Sequence, residues 1–370
     1  MLKYTWITLF VLLAITANIT QANSLWDTYN RAIIEQHIVP KLEELHSAAK
    51  QLDNKTNQFC QTPTTDTLNI LRHAYFAVND AWMGIQHMRR GPIDKDRRFY
   101  RIQLYPDKRN AVGKQLLRKI KISDASQLVP DKFPKLTVAI QGISALEQLL
   151  FRERYPITIF QSNDQQRSYH CQLLQAISAN LVSITKKIHH EITETKDIYD
   201  LLVNAKRFPV DESAPDLALQ KRIEVSATIL NSYYTQLDTI STHKLGMPLG
   251  KSLEKARPKR SESTYSQRSL HNIKLNLLAL EQIYEITYSP LLELQPESQE
   301  LNKKIKQLFS RIHQQINNIG MPLEEAVKNA TARKMVIELQ SSIDQLHTIT
   351  LKTMANTLGL PLRFNSLDGD

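Results

Sequence analysis

A chain of 370 residues with only 9 glycines, 42% hydrophobic residues and long stretches rich in Leu, Ile, Gln, Lys and Glu excludes a turn-dense β protein and predicts helices. Its length exceeds what a single core commonly supports, so two domains are expected. A formal charge of +10 suits an acidic ligand, an anionic surface or nucleic acid, and the exported character read from the first residues argues against the last of these.

The opening MLKYTWITLFVLLAITANITQANS has one lysine, an apolar run too short to span a bilayer and a small-residue exit, the pattern of a secretory signal over residues 1–22. A periplasmic mature protein is expected. No cysteine follows the run and no later segment offers a long uninterrupted apolar stretch, so no stable membrane insertion is expected after signal cleavage. Residues 25–52 place Leu25, Ile33, Ile38, Leu42 and Leu45 at helical spacing, with Pro40 predicting a kink. Cys60 and Cys171 are the only cysteines, and an oxidising compartment favours one structural disulfide over two free thiols. Closing so long a loop would contribute roughly 4 to 5 kcal/mol in a chain-entropy model.

TPTTDTLNILRHAYFAVNDAWMGIQHM supplies Thr and Asp capping candidates before a helix that Gly91 and Pro92 stop. Residues 91–135 lose helical periodicity apart from a short helix at AVGKQLLRKI, and the span Arg89 to Lys121 holds twelve Lys or Arg against three Asp. That is a solvated face or a basic stripe for an acidic ligand. Long helices are predicted over 134–152 and 162–193, completing an N-terminal helical bundle over 23–195. The C-terminal bundle, 196–370, has helices near 214–243, 266–287, 297–318 and 322–357, with SLEKARPKRSESTYSQ between the first two as a loop. GMPL at 246–249, GMPL at 320–323 and GLPL at 359–362 place a glycine for a left-handed helix end and a proline for the next first turn, and also fit an internal duplication.

The stretch QGISALEQLLF carries the strongest hint of chemistry. Ile143, Leu146, Leu149 and Leu150 make an apolar stripe with Glu147 at its margin, where a carboxylate is either paired in a helix contact or set at an interface. Gly142 suggests close approach of a backbone or ligand. His189 and His190 point about 100° apart on a helix and cannot share one ion. HExxH, a Cys/His zinc set and GxSxG are absent from the sequence. In RRFYRIQLYPDKRN, Arg98, Arg101 and Arg109 could hold a carboxylate, while Asp107 and Arg109 equally suit a local ion pair.

FCQTPT, AWMGIQHMRRGPID, YPDKRNAVGKQL, QGISALEQLLF, CQLLQAISANL, SQRSLHNIKLNLLAL and the terminal FNSLDGD, in this order, resemble the imelysin-like family of exported bacterial proteins. The resemblance implies an all-α protein of two four-helix-bundle-like domains with a functional cleft between them. It also implies a link to iron uptake, and a peptidase label inherited from the family's name-giving member. The family motif is Gly-x-His-x-x-Glu; here Gly142 and Glu147 match and Ser144 stands at the histidine position. Serine is a poor neutral ligand for a transition metal, so Glu147 is left as a lone metal candidate. The expected ligand-binding set is Gly142, Ser144, Glu147, Arg89, Asp107, Arg109, Asn365 and Asp368. Its ligand would be iron, another divalent cation or an iron chelate, and its partner a small iron-containing molecule or an envelope protein. A non-enzymatic binding or accessory factor is the favoured reading, with a metallopeptidase and a protein-partner module as alternatives.

Overall fold

A computed structural model describes residues 25–107, 109–161, 165–194 and 215–360 of the chain. The signal at 1–22, the domain boundary at 195–196, and Asn365 and Asp368 lie outside the described residues. Regular structure among the described residues is entirely helical, and the protein is all-α. The main helices are α1 (Val39–Gln61), α2 (Thr65–Ile85), α3 (Arg98–Ile102), α4 (Ala111–Ile122), α5 (Ile143–Phe151), α6 (Gln165–Thr193), α7 (Pro215–Asp238), α8 (Ser269–Ile283), α9 (Gln299–Ile319) and α10 (Ala330–Thr348).

α1 packs along α2 and α6, while α10 packs against α9 and α7. The two groups are joined by α2 lying on α8, and the buried apolar residues form one connected cluster from Ile33 to Leu360. The joining helix shows this role locally: every residue from Ala81 to Met88 is buried, so the end of α2 is surrounded rather than amphipathic. Thr64 opens α2 with a reciprocal capping box to Thr67. Cys60 in the last turn of α1 is disulfide-bonded to Cys171 of α6, with Cα atoms 5.5 Å apart, fixing those two helices together.

Three prolines shape this fold without breaking helices. Pro40, Pro248 and Pro290 each follow a π-helical segment: Ile34–Ile38, Thr239–Leu245 and Tyr284–Tyr288. A proline ring clashes with the carbonyl four residues earlier and leaves it without its usual partner. Those carbonyls belong to Gln36, Lys244 and Ile286, each inside the widened turn, so the π segment absorbs the proline where a kink was expected at Pro40.

Three expectations need correction. The helix expected over 134–152 is two short 3-10 turns followed by α5, because backbone from α3 crosses the chain at Gly142. The helix expected over 322–357 is interrupted where Asn329 caps a new start, accepting from the amides of Thr331 and Ala332. Gly320 and Gly359 do take positive φ, at 65° and 64°, but Gly246 is right-handed and within a helical run. There the bare Cα serves packing: a Cβ would stand 3.1 Å from the Ser241 carbonyl and 3.3 Å from Gln340 of α10.

One buried contact ties the first helical segment to α8. His37 and His87 approach through their Nε2 atoms at 3.3 Å, and His37 Nδ1 is 2.9 Å from Gln282 Oε1. Gln282 Nε2 donates to the Gln36 carbonyl, which leaves Oε1 to accept from His37 Nδ1; His37 Nε2 is then the acceptor and His87 Nε2 the donor. Burial pushes His37 down to about 4, with Lys41 opposing its charged form, and holds His87 well below its ordinary value, with His37 and Arg89 adding to that. Between the unfolded value near 6.5 and the folded value near 4 the unfolded chain binds more protons, so stability falls as pH drops through that window. His37 alone accounts for about 3 kcal/mol of that loss. A variant with His37→Asn and His87→Gln should therefore lose at least about 2 kcal/mol less than the parent between pH 7 and pH 4.5 in urea unfolding, since the His87 titration is removed as well; equal losses would show that the pair does not titrate as described.

Candidate functional site

The site begins where α3 meets α5. Gln141 is buried with its amide donating to the Pro134 and Leu136 carbonyls and its oxygen accepting from Arg101 Nε. Gly142 follows in extended conformation, and a Cβ there would lie 2.3 Å from the Arg101 carbonyl oxygen and 2.1 Å from that of Ile102. Glycine is needed because backbone passes over it. Two residues on, in the first turn of α5, Ser144 donates its hydroxyl to the Leu104 carbonyl at 3.2 Å.

Glu147, on the same side of α5, reaches the segment before α8. Its Oε1 accepts from the Tyr265 amide at 3.0 Å, the Ser266 amide at 3.0 Å and the Ser266 hydroxyl at 2.9 Å. Oε2 takes no hydrogen bond among the described residues. The side chain is almost wholly enclosed. Burial pushes its carboxyl up to about 7, the three donors oppose that rise, and the Glu262 charge adds to it. Tyr75 lies beside this group, its hydroxyl held well above its ordinary value by burial and by the Glu147 charge.

Beneath Glu147 is a fully buried ion pair. Lys244, presented by the π segment Thr239–Leu245, donates from Nζ to Glu262 Oε2 at 2.7 Å, Gln86 Oε1 at 2.7 Å and Asn276 Oδ1 at 2.5 Å. Glu262 also accepts from Gln86 and Asn272, Gln86 donates to Gln103, and Trp82 Nε1 donates to Gln103 as well. Burial lowers Lys244, and the adjacent Glu262 charge resists that shift. The network draws on α2, α8, the π segment and the chain at 103 and 262, so it joins these parts of the chain beneath the site.

Above these groups opens a cleft of about 760 Å³. Its lining comes from two parts of the chain, taken as its two walls: Tyr75, Gln103 to Asp107, Asn110 and Val112 with Ile143, Ser144, Glu147, Gln148 and Phe151 to Arg154, and, facing these, Met247 with Lys259 to Tyr265. A second, more open concavity of about 520 Å³ beside α9 includes Glu293, Asn302 and Lys306, whose polar groups already bond one another.

The structure brings together Ser144, Glu147 and Asp107 of the expected set on this cleft. Gly142 does not line it. Asp107 is not paired with Arg109: its two oxygens accept from the Ala111 and Val112 amides and cap α4, and Arg109 is exposed away from the cleft. Arg89 is also elsewhere, over the Phe99 ring at 4.8 Å and donating to Thr239. Arg98 is buried between the Pro92 carbonyl and Glu191, and Arg101 bonds Gln141 and Asn180, so much of the basic segment is structural. Glu262, Lys244, Arg152, Arg154, Lys259 and Arg260 were not expected. Their only sequence signal was charge inside a serine-rich loop or at a helix end, which composition assigns to solvent.

A metal-ligand set does not fit this arrangement. Ser144 is turned to a carbonyl, Glu147 has one oxygen engaged by three donors, and no group of three or more His, Cys, Asp or Glu among the described residues could hold an ion. A catalytic zinc ordinarily needs three protein ligands and an open position.

The imelysin family model matches residues 38–350. Iron-regulated protein A of Synechococcus elongatus is similar, at 20% identity over 320 residues, covering 85% of this chain and 81% of that protein. The fold is shared with an imelysin-like protein from Psychrobacter arcticum 273-4, at TM-score 0.74 and 17% identity over 92% of this chain and 98% of that one. It is shared too with a putative iron-regulated protein A precursor from Parabacteroides distasonis, at TM-score 0.70 and 15% identity over 89% and 94%.

Removing one member of a buried pair leaves the other charged and unpaired. Lys244→Met should cost about 3 to 5 kcal/mol in urea unfolding, and adding Glu262→Gln should recover part of that loss. Equal stability of Lys244→Met and the parent would show that the pair does not hold the cleft floor.

Proposed function

The chain belongs to the imelysin family, and on that premise we propose that it is an exported, non-enzymatic binding or accessory protein of iron acquisition, with the cleft at Glu147 as its ligand site. Two relatives bear the name iron-regulated protein A, one of them as a precursor, which supports both the link to iron and export to the periplasm. Among the described residues no helix is long and apolar enough to cross a membrane.

The observation that carries the reading is the state of the motif. The position of the family's histidine is Ser144, bonded to the Leu104 carbonyl, while Glu147 braces the facing loop through its backbone amides. What remains is a shaped cleft without the ligand pair a metallopeptidase would use to activate water. The volume suits a small molecule, since ligand pockets commonly run about 300 to 1,000 Å³. The reading as a docking module for an envelope protein through residues 91–110 draws less support, because Arg98 there is engaged inside the protein with Glu191.

Ser144 and Glu147 are three residues apart on α5 and share a face, so restoring an imidazole would put two metal donors side by side. Ser144→His should tighten divalent-metal binding at least tenfold over the parent in titration calorimetry, and protein abundance should rise under iron limitation. Chelator-sensitive cleavage of an unfolded polypeptide, lost in Glu147→Gln, would overturn the non-enzymatic reading. Unchanged abundance together with no heat from iron salts or iron chelates would overturn the link to iron.

A further inference from the structure

We propose that the cleft binds a polycarboxylate anion, free or as the shell of an iron chelate, held by Arg152 and Arg154 from one wall and Lys259 and Arg260 from the other. The inference rests on the preceding reading of the cleft as a ligand site and adds the charge and chemistry of what enters it.

The charges lining the cleft differ in whether they have partners. Of the acidic groups lining the cleft, Glu262 is neutralised by Lys244 and Asp107 is engaged with the amides that open α4. Glu147 is enclosed with one oxygen fully engaged, and Glu153, exposed and without an ion-pair partner among the described residues, offsets one cation and leaves an excess of three. The four cations are different. Among the described residues, none of Arg152, Arg154, Lys259 and Arg260 has an ion-pair partner within 4.0 Å, and Arg154, Lys259 and Arg260 are exposed. A bare cation entering between them meets like charge from both walls, whereas a multiply charged anion meets opposite charge from both.

Arg152 is also oriented in advance. It donates to Gln148 Oε1 at 3.1 Å, and its guanidinium lies 5.3 Å from the centre of the Tyr265 ring, whose own amide is bonded to Glu147. An arginine fork fixed in this way presents its remaining donors to a carboxylate without first losing side-chain freedom.

Glu147 then acts as a proton-linked gate on ligand charge. With Oε1 accepting three bonds, a proton on this carboxyl sits on Oε2, the oxygen with no bond among the described residues. A cation would favour the ionised form and bind more tightly as pH rises. An anion favours the neutral form, so its binding weakens as pH rises through the folded value near 7. Full linkage over pH 6 to 8 amounts to about a tenfold loss of affinity. Glu147→Gln keeps an oxygen for the three donors and places an amide where the proton would be.

The test is titration calorimetry of the full protein with citrate, ferric citrate and ferrous ion alone, at pH 6 and pH 8. Citrate and ferric citrate should bind about tenfold more weakly at pH 8 than at pH 6 once citrate's own titration is subtracted, with proton uptake on binding. Arg152→Ala with Arg260→Ala should lose at least tenfold in affinity at unchanged thermal stability, and Glu147→Gln should bind as the parent does at pH 6 but without the pH dependence. Citrate affinity indifferent to the two arginines, or to pH in the parent, overturns the proposal. Ferrous ion binding more tightly at pH 8 and lost in Glu147→Gln overturns it too while leaving the iron-binding reading standing. Citrate binding with the expected pH dependence, in a protein whose abundance ignores iron supply, leaves the anion site and removes the iron link.

Discussion

The Lys244–Glu262 pair is the constraint around which the site is arranged. Two opposite charges with almost no solvent exposure are tolerable only when the remaining donors and acceptors are met, and here Gln86, Asn272 and Asn276 meet them, with Gln103 holding Gln86 in turn. Those partners come from α2, α8 and the chain after α3, so satisfying one pair fixes the relative positions of all three. The pair also explains the π segment. Pro248 disfavours a regular turn at Lys244, and the widened turn it requires is the one that delivers this side chain inward.

Glu147 extends the same logic upward. Because its carboxylate grips two consecutive amides at Tyr265 and Ser266, the loop carrying Lys259 and Arg260 is held against the end of α5 carrying Arg152 and Arg154. A residue that the motif presents as half of a metal pair thus becomes the brace that holds two basic edges on opposite sides of one cleft. A serine at 144, where the resemblance implies a histidine, and a glutamate at 147 are then compatible: the glutamate has work that does not need an ion.

Much of this was legible in the residues. Helical periodicity placed α2, α6 and α9 within a few residues of their ends, an oxidising compartment paired Cys60 with Cys171, and Gly142 marked a close approach that the Arg101 and Ile102 carbonyls make. Periodicity failed at 134–152 because the break there comes from backbone of another segment, which no local pattern encodes. The site was half legible. Glu147 stood out because a carboxylate on an apolar stripe needs a reason, but Glu262 sits in SLEKARPKRSESTYSQ, where its neighbours are charged and its burial depends on a lysine 18 residues earlier. Arg89 and Arg109 attracted notice through local charge density, and density does not tell a rim from a surface; what separates Arg152 and Arg260 from them is which wall of the fold they stand on.

The role of the cleft depends on Glu147 being an enclosed acid that titrates near neutrality rather than a permanently charged ligand. Infrared difference spectroscopy, parent minus Glu147→Gln, reads this directly through the carbonyl stretch of a protonated carboxyl. Such a band should be present at pH 6 and fade with a midpoint near 7, by the balance of burial against three donors. A spectrum showing only carboxylate at pH 6 would contradict it, and would return Glu147 to the role of an anionic ligand awaiting a cation.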